Sequence, residues 1–151
     1  MGWFTAWNRR KTLFIFLIMA ALMLTVITIG GRVLENEAMV TDFSRQNLAP
    51  CPAYPFGTDW MGRDMFVRTI TGLSLSIRIG LLTAAVSALI ACFMGTAAAC
   101  LGKAADGLVG IVIDLVMGIP HILLLILISF AAGKGFWGVM AGISLTHWTS
   151  L

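Results

Sequence analysis

Gly57-Thr58-Asp59-Trp60-Met61-Gly62-Arg63-Asp64 is a short polar island between two long apolar blocks. Two acids and an arginine stand close together here, whereas nearly every other charge can be read as the margin of a membrane span. That density marks the stretch as functional rather than merely solubilising. The blocks on either side of it decide the fold class.

The 151-residue chain is 59% hydrophobic and 11% charged, with a mean hydropathy of +0.95. A soluble domain carries about a quarter charged residues. The chain is therefore a membrane protein on composition, and its long apolar blocks make it all-α. Its net charge of +3 is not gathered into a basic patch, which excludes nucleic acid as a partner. Cys92 and Cys100 lie in an apolar run and are expected to be small buried hydrophobes, while Cys51 stands alone between Pro50 and Pro52. No disulfide framework or metal-ligand spacing follows from the three.

Upstream of the island, residues 1–11 form a head ending in Arg9-Arg10-Lys11, and 12–29 carry no charge. That stretch is long enough to cross a bilayer of about 30 Å, and it is expected to be an uncleaved first span rather than a secretory signal. The positive-inside rule places the N-terminus in the cytoplasm. Residues 30–72 then form an external loop, in which Arg32, Arg45, Arg63 and Arg68 are outnumbered by Glu35, Glu37, Asp42, Asp59 and Asp64. From about 59 the spacing of Met61, Met65, Phe66, Ile70 and Leu73 predicts a short amphipathic surface helix. Asp59 is expected to cap it, and Asp64 to pair with Arg68 one turn on. Arg63 has neither role, which makes it the candidate for contact with another chain.

Downstream, spans are expected at about 75–101, 108–132 and 136–151, with a tight cytoplasmic turn at 103–107. The third block is interrupted by Asp114, Gly118, Pro120 and His121. A carboxylate inside a membrane segment usually faces protein, water or a partner. On a continuous helix Asp114, Met117 and His121 share one stripe, and Pro120 is expected to kink or break the helix beside it. Asp114, Met117, Pro120 and His121 are thus the translocation-path candidates. Asp114, Met117 and His121 also offer oxygen, sulfur and nitrogen donors to a transition metal.

The island, followed by Arg68, Gly72, Ser76 and Gly80, resembles the G-T-D-x-x-G-R-D signature of the C-type permease subunits of peptide and nickel ABC importers. Asp106, Asp114, Pro120 and Trp148 continue the resemblance, which covers roughly residues 55 to 151. It implies a multi-span helical permease in the cell inner membrane, with about four of an expected six spans present. It also implies half of a translocation path shared with a second permease subunit, two ATP-binding subunits that use Mg-ATP, and an external solute-binding protein. On that resemblance Gly57, Thr58, Asp59, Gly62, Arg63, Asp64 and Arg68 form the external docking face. The chain itself would bind no cofactor and catalyse no reaction, since it has no Ser-His-Asp set, phosphate-cradling glycine loop or zinc-type spacing.

Three positions depart from the family pattern. The E-A-A coupling loop is not reached by Leu151, so a fragment or a truncated product is expected; Ile111 and Ser74 stand where the family often has arginine. His147-Trp148 resembles the nickel branch, so nickel ion or a nickel chelate is the expected substrate, with a di- or oligopeptide as the alternative. From another class, a small oligomeric channel or scaffold also fits four apolar blocks.

Overall fold

The computed structural model describes residues 9–150, so most of the expected head at 1–11 lies outside the described residues. The order is α1 (Arg9–Val33), two single 3-10 turns at Glu37–Met39 and Phe43–Arg45, α2 (Met65–Cys100), α3 (Lys103–Gly118), α4 (His121–Ala131), α5 (Phe136–His147) and a last 3-10 turn at Trp148–Ser150. Among the described residues the only β pairings are isolated bridges, Cys51 with Tyr54 and Thr58 with Asp64. The chain divides into two compact units, one ending at Arg78 and one beginning at Ile79.

In the first unit α1 forms because 12–29 offer no charge and no proline to interrupt it. Its 25 residues reach about 38 Å at 1.5 Å per residue, enough to cross a bilayer. The Thr25 and Thr28 hydroxyls donate back to Ala21 O and Leu24 O at 2.7 Å, so neither is left without a partner in lipid. α1 meets α2 where Gly31 faces Ser74. A Cβ on Gly31 would lie 2.9 Å from Ile70 O and would overlap the Ser74 Cβ. Ser74 is fully buried there, and its Oγ donates to Thr28 O at 3.0 Å. This explains the serine at a position where the resemblance expects arginine, since no long side chain fits against Gly31. Arg78, one turn later, instead directs Nε to Ser74 O at 3.4 Å and approaches Glu35 at 3.9 Å.

Two expectations are corrected here. No separate amphipathic helix starts at 59: residues 57–64 are a loop, and one unbroken helix of 36 residues runs from Met65 to Cys100. Cys92 and Cys100, expected to be buried, are exposed on α2, as is Cys51 in the loop.

The second unit holds the break foreseen at Pro120. The block at 108–132 is two helices, α3 and α4, bent by 97°. Ile119 is extended, with φ −94° and ψ 135°, the conformation a following proline imposes, and Pro120 has no N–H to continue the ladder. The turn expected at 103–107 is shorter. Lys103 already begins α3, and Asp106 lies in its first turn, where a negative charge suits the helix dipole.

α4 and α5 then fold into a hairpin by backbone approach. A Cβ on Gly138 would lie 2.5 Å from Ser129 O and overlap Gly133 O, and one on Gly142 would lie 3.0 Å from Leu125 O. Small residues bring helices close where lipid supplies no hydrophobic drive. Ser87 of α2 adds a buried hydrogen bond to Ser144 O at 3.1 Å. By length and composition α1 and α2 can each cross a membrane, and the bent α3–α4 pair makes a third crossing if it is one broken span. α5, of 12 residues, occupies the stretch expected to begin a fourth span.

Gly138→Ala is expected to lower the unfolding midpoint of the detergent-solubilised protein, by the equivalent of about 1–3 kcal/mol for a forced overlap. Gly107→Ala, whose added methyl meets open space, should leave the midpoint unchanged or raise it.

Candidate functional site

The polar island folds into a knot held by one carboxylate. Asp59 Oδ1 accepts the N–H groups of Met61 and Arg63 at 2.9 and 3.0 Å. Its Oδ2 accepts Arg63 Nε at 2.9 Å and pairs with Arg63 at 2.8 Å and Arg68 at 2.6 Å. Burial raises the Asp59 carboxyl, but the Arg63 N–H, the Arg63 side chain and the Met61 N–H outweigh it and hold the pKa at about 2, against 3.8 for an ordinary aspartate.

The backbone closes around this ion cluster. Thr58 Oγ1 donates to Arg45 O and accepts the Leu48 N–H at 2.9 Å. Asn47 N–H reaches Asp59 O at 3.1 Å, and Asp42 N–H reaches Met61 O at 3.2 Å. Gly57 and Gly62 sit at φ +71° and +72°, and a Cβ on either would strike the carbonyl of Leu48 or Asp42. Positive φ and close approach each call for glycine here.

The capping and pairing roles expected of the two acids are exchanged. Asp64, not Asp59, caps α2, its Oδ1 accepting the Phe66 and Val67 N–H groups at 2.8 and 3.3 Å. Arg68 pairs with Asp59, not Asp64. Arg63 is also accounted for. Its side chain is only 18% exposed, which leaves little of it for another chain. A second pair, missed in the sequence, lies beside the knot: Arg45 binds Asp42 at 2.9 Å and the Tyr54 hydroxyl at 2.6 Å. The Ser44 hydroxyl holds the Asp42 carboxyl below its ordinary range.

In the second unit the helix break opens a cleft of about 280 Å³, with Met117, Pro120 and His121 on one side and Thr146, Thr149 and Ser150 on the other. His121 stacks edge-on against His147, ring centroids 5.1 Å apart. That partner is absent from the expected site, although a hairpin turning near Lys134 brings the two equidistant histidines together. Asp114 is exposed on α3 and does not line the cleft. The bend thus divides the expected stripe, leaving Met117 and His121 together without the acid. Among the described residues no group of three or more His, Cys, Asp or Glu side chains is placed to hold a metal ion.

No protein-family model matches the sequence. The chain is similar to the dipeptide transport system permease protein DppC of Bacillus subtilis (strain 168), 30% identical over 97% of this chain and 47% of that protein. It is also similar to the probable D,D-dipeptide transport system permease protein DdpC of Escherichia coli (strain K12), 28% identical over 86% of this chain and 44% of the relative. The oligopeptide transport system permease protein OppC of Bacillus subtilis (strain 168) is 29% identical over 89% of this chain and 46% of its own length. The chain spans about half the length of the curated relatives it matches.

Because the Asp59 pKa in the folded loop lies below its ordinary value, the carboxylate stabilises the loop fully above about pH 4 and loses that effect as pH falls toward about 2. Pepsin should therefore leave the 34–64 loop intact at about pH 4 and cut it as the pH approaches about 2. Asp59→Asn should be cut already at about pH 4.

Proposed function

We propose, from the premise that this chain is homologous to the C-type permease subunits of peptide ABC importers, that it is one half of a translocation path working by alternating access. The observation that carries the proposal is the alignment of 97% of the chain with a dipeptide permease protein. In this reading a second permease chain supplies the other half, and two ATP-binding subunits hydrolyse Mg-ATP on the cytoplasmic side. An external solute-binding protein delivers the substrate. Arg9-Arg10-Lys11 keeps the N-terminus cytoplasmic, which puts the Asp59 knot on the outer face and offers Arg68, the more exposed of its two arginines, to the solute-binding protein.

The substrate we infer is a di- or oligopeptide rather than nickel. The relatives' names are those of dipeptide and oligopeptide systems, and the expected Asp114, Met117, His121 donor set is not gathered at the cleft. A peptide presents amide N–H and C=O groups at short intervals. The cleft presents the His121 imidazole and the hydroxyls of Thr146, Thr149 and Ser150, each able to donate or accept. Discontinuous helices commonly form transport sites because their broken ends leave backbone polar groups free, and the α3–α4 break supplies such ends beside the cleft.

Cells making the whole natural transporter should take up radiolabelled dipeptide, and deleting this chain should abolish uptake. His121→Ala should lower uptake about tenfold at normal expression, as expected for losing about 1.4 kcal/mol of substrate contact. Uptake of nickel without dipeptide would overturn the substrate. Consistent failure of ATP-binding subunits to copurify with the chain would overturn the importer reading in favour of a channel or scaffold.

A further inference from the structure

The loop between α1 and α2 carries large apolar side chains on the surface of a rigid knot. Phe43 is 61% exposed, Phe56 54% and Trp60 64%. The bonds of Asp42 to Met61 and of Thr58 to Leu48 hold the segments bearing these three residues together. Phe56 also packs edge-on against Phe66 in the first turn of α2, with centroids 5.3 Å apart.

Charge in the same knot is cancelled internally. Asp42, Asp59 and Asp64 balance Arg45, Arg63 and Arg68. Asp42 pairs with Arg45, Asp59 with both Arg63 and Arg68, and Asp64 is taken up in capping α2. A paired and hydrogen-bonded charge costs far less to move out of water than a free one. At each end the loop continues into a membrane-crossing helix with exposed apolar side chains, Ile29 and Val33 on α1 and Leu73 on α2. The knot's apolar side chains thus stand on the segment that joins two helices, each long and apolar enough to cross a membrane.

We propose that this loop rests in the membrane interface, with Phe43, Phe56 and Trp60 among the phospholipid headgroups and upper acyl chains. Tryptophan favours that depth because its ring is apolar while its indole N–H stays wet, and the two phenylalanines add apolar area for the upper acyl chains to cover. The internal charge balance makes the attachment one of apolar partition, independent of anionic lipid. It rests on the crossings by α1 and α2 and not on the identity of the substrate.

The test uses the natural complex with Cys51, Cys92 and Cys100 replaced by serine and a nitroxide placed in turn at Phe43→Cys, Trp60→Cys and, as a polar reference, Glu37→Cys. In vesicles of phosphatidylcholine, with or without phosphatidylglycerol, power saturation compares relaxation by oxygen and by a water-soluble nickel chelate. Positions 43 and 60 should shift from chelate-dominated to oxygen-dominated relaxation in both lipid mixtures, while position 37 stays chelate-dominated. Chelate dominance at all three positions would overturn the proposal. So would shielding of 43 and 60 from both reagents, whether constant or appearing only with the solute-binding protein, since a protein would then be what covers them. A parallel set in the Trp60→Phe background should keep position 43 oxygen-dominated, and its loss together with lower protein yield would be read on Phe56→Cys instead, with the same two outcomes.

Discussion

Asp59 takes two amide N–H groups on one carboxylate oxygen and two guanidinium groups on the other, and the order of the chain from residue 42 to residue 68 follows from that convergence. A carboxylate only 11% exposed is tolerable because every side of it is answered. Satisfying it draws Arg63 and Arg68 inward and closes the turn at Gly62. The Asp42 carbonyl is then so close that residue 62 has no room for a side chain. With Asp59 committed to the loop, Asp64 is left to cap α2, and the start of the longest helix is set at Met65.

The second unit is governed by the opposite circumstance, a scarcity of polar interactions. Its helices are held by what their surfaces lack: Gly138 and Gly142 let α5 approach the α4 backbone, and Ser87 adds one buried hydrogen bond between α2 and α5. Into this apolar frame Pro120 introduces a bend of 97°. The polar groups that matter gather at the bend: His121 against His147, with hydroxyls opposite. The cleft therefore follows from one residue that cannot donate a backbone hydrogen bond.

The helical membrane class, the long apolar helix over 12–29 and the break near Pro120 are legible because each rests on a strong local rule: long runs without charge, and the missing N–H of proline. The roles of Asp59 and Asp64 are not. Both acids lie at plausible cap positions, and the choice between them depends on Arg63, Arg68 and the 42–48 segment arriving from elsewhere in the chain. The same limit applies to Asp114. Its helical spacing joins it to His121 only on a straight helix, and the bend sets His147 of α5 beside His121 instead. The sequence carries a signal of that pairing in the equal spacing of the two histidines on either side of Lys134, where the hairpin turns. The serine at 74 had no local explanation at all, since its reason lies on α1.

That last contact ties two distant positions into a single unit of change. Gly31 has no side chain and Ser74 is enclosed, so the space between α1 and α2 is filled by one small residue lying across from none. An ancestor or descendant with arginine at position 74 would need a different first helix, one that stands farther off or crosses at another place. Substitutions at 31 and 74 should therefore be inherited in company. The first helix, which carries no part of the recognisable signature, is bound to the history of the second by a contact with room for a side chain on one side only.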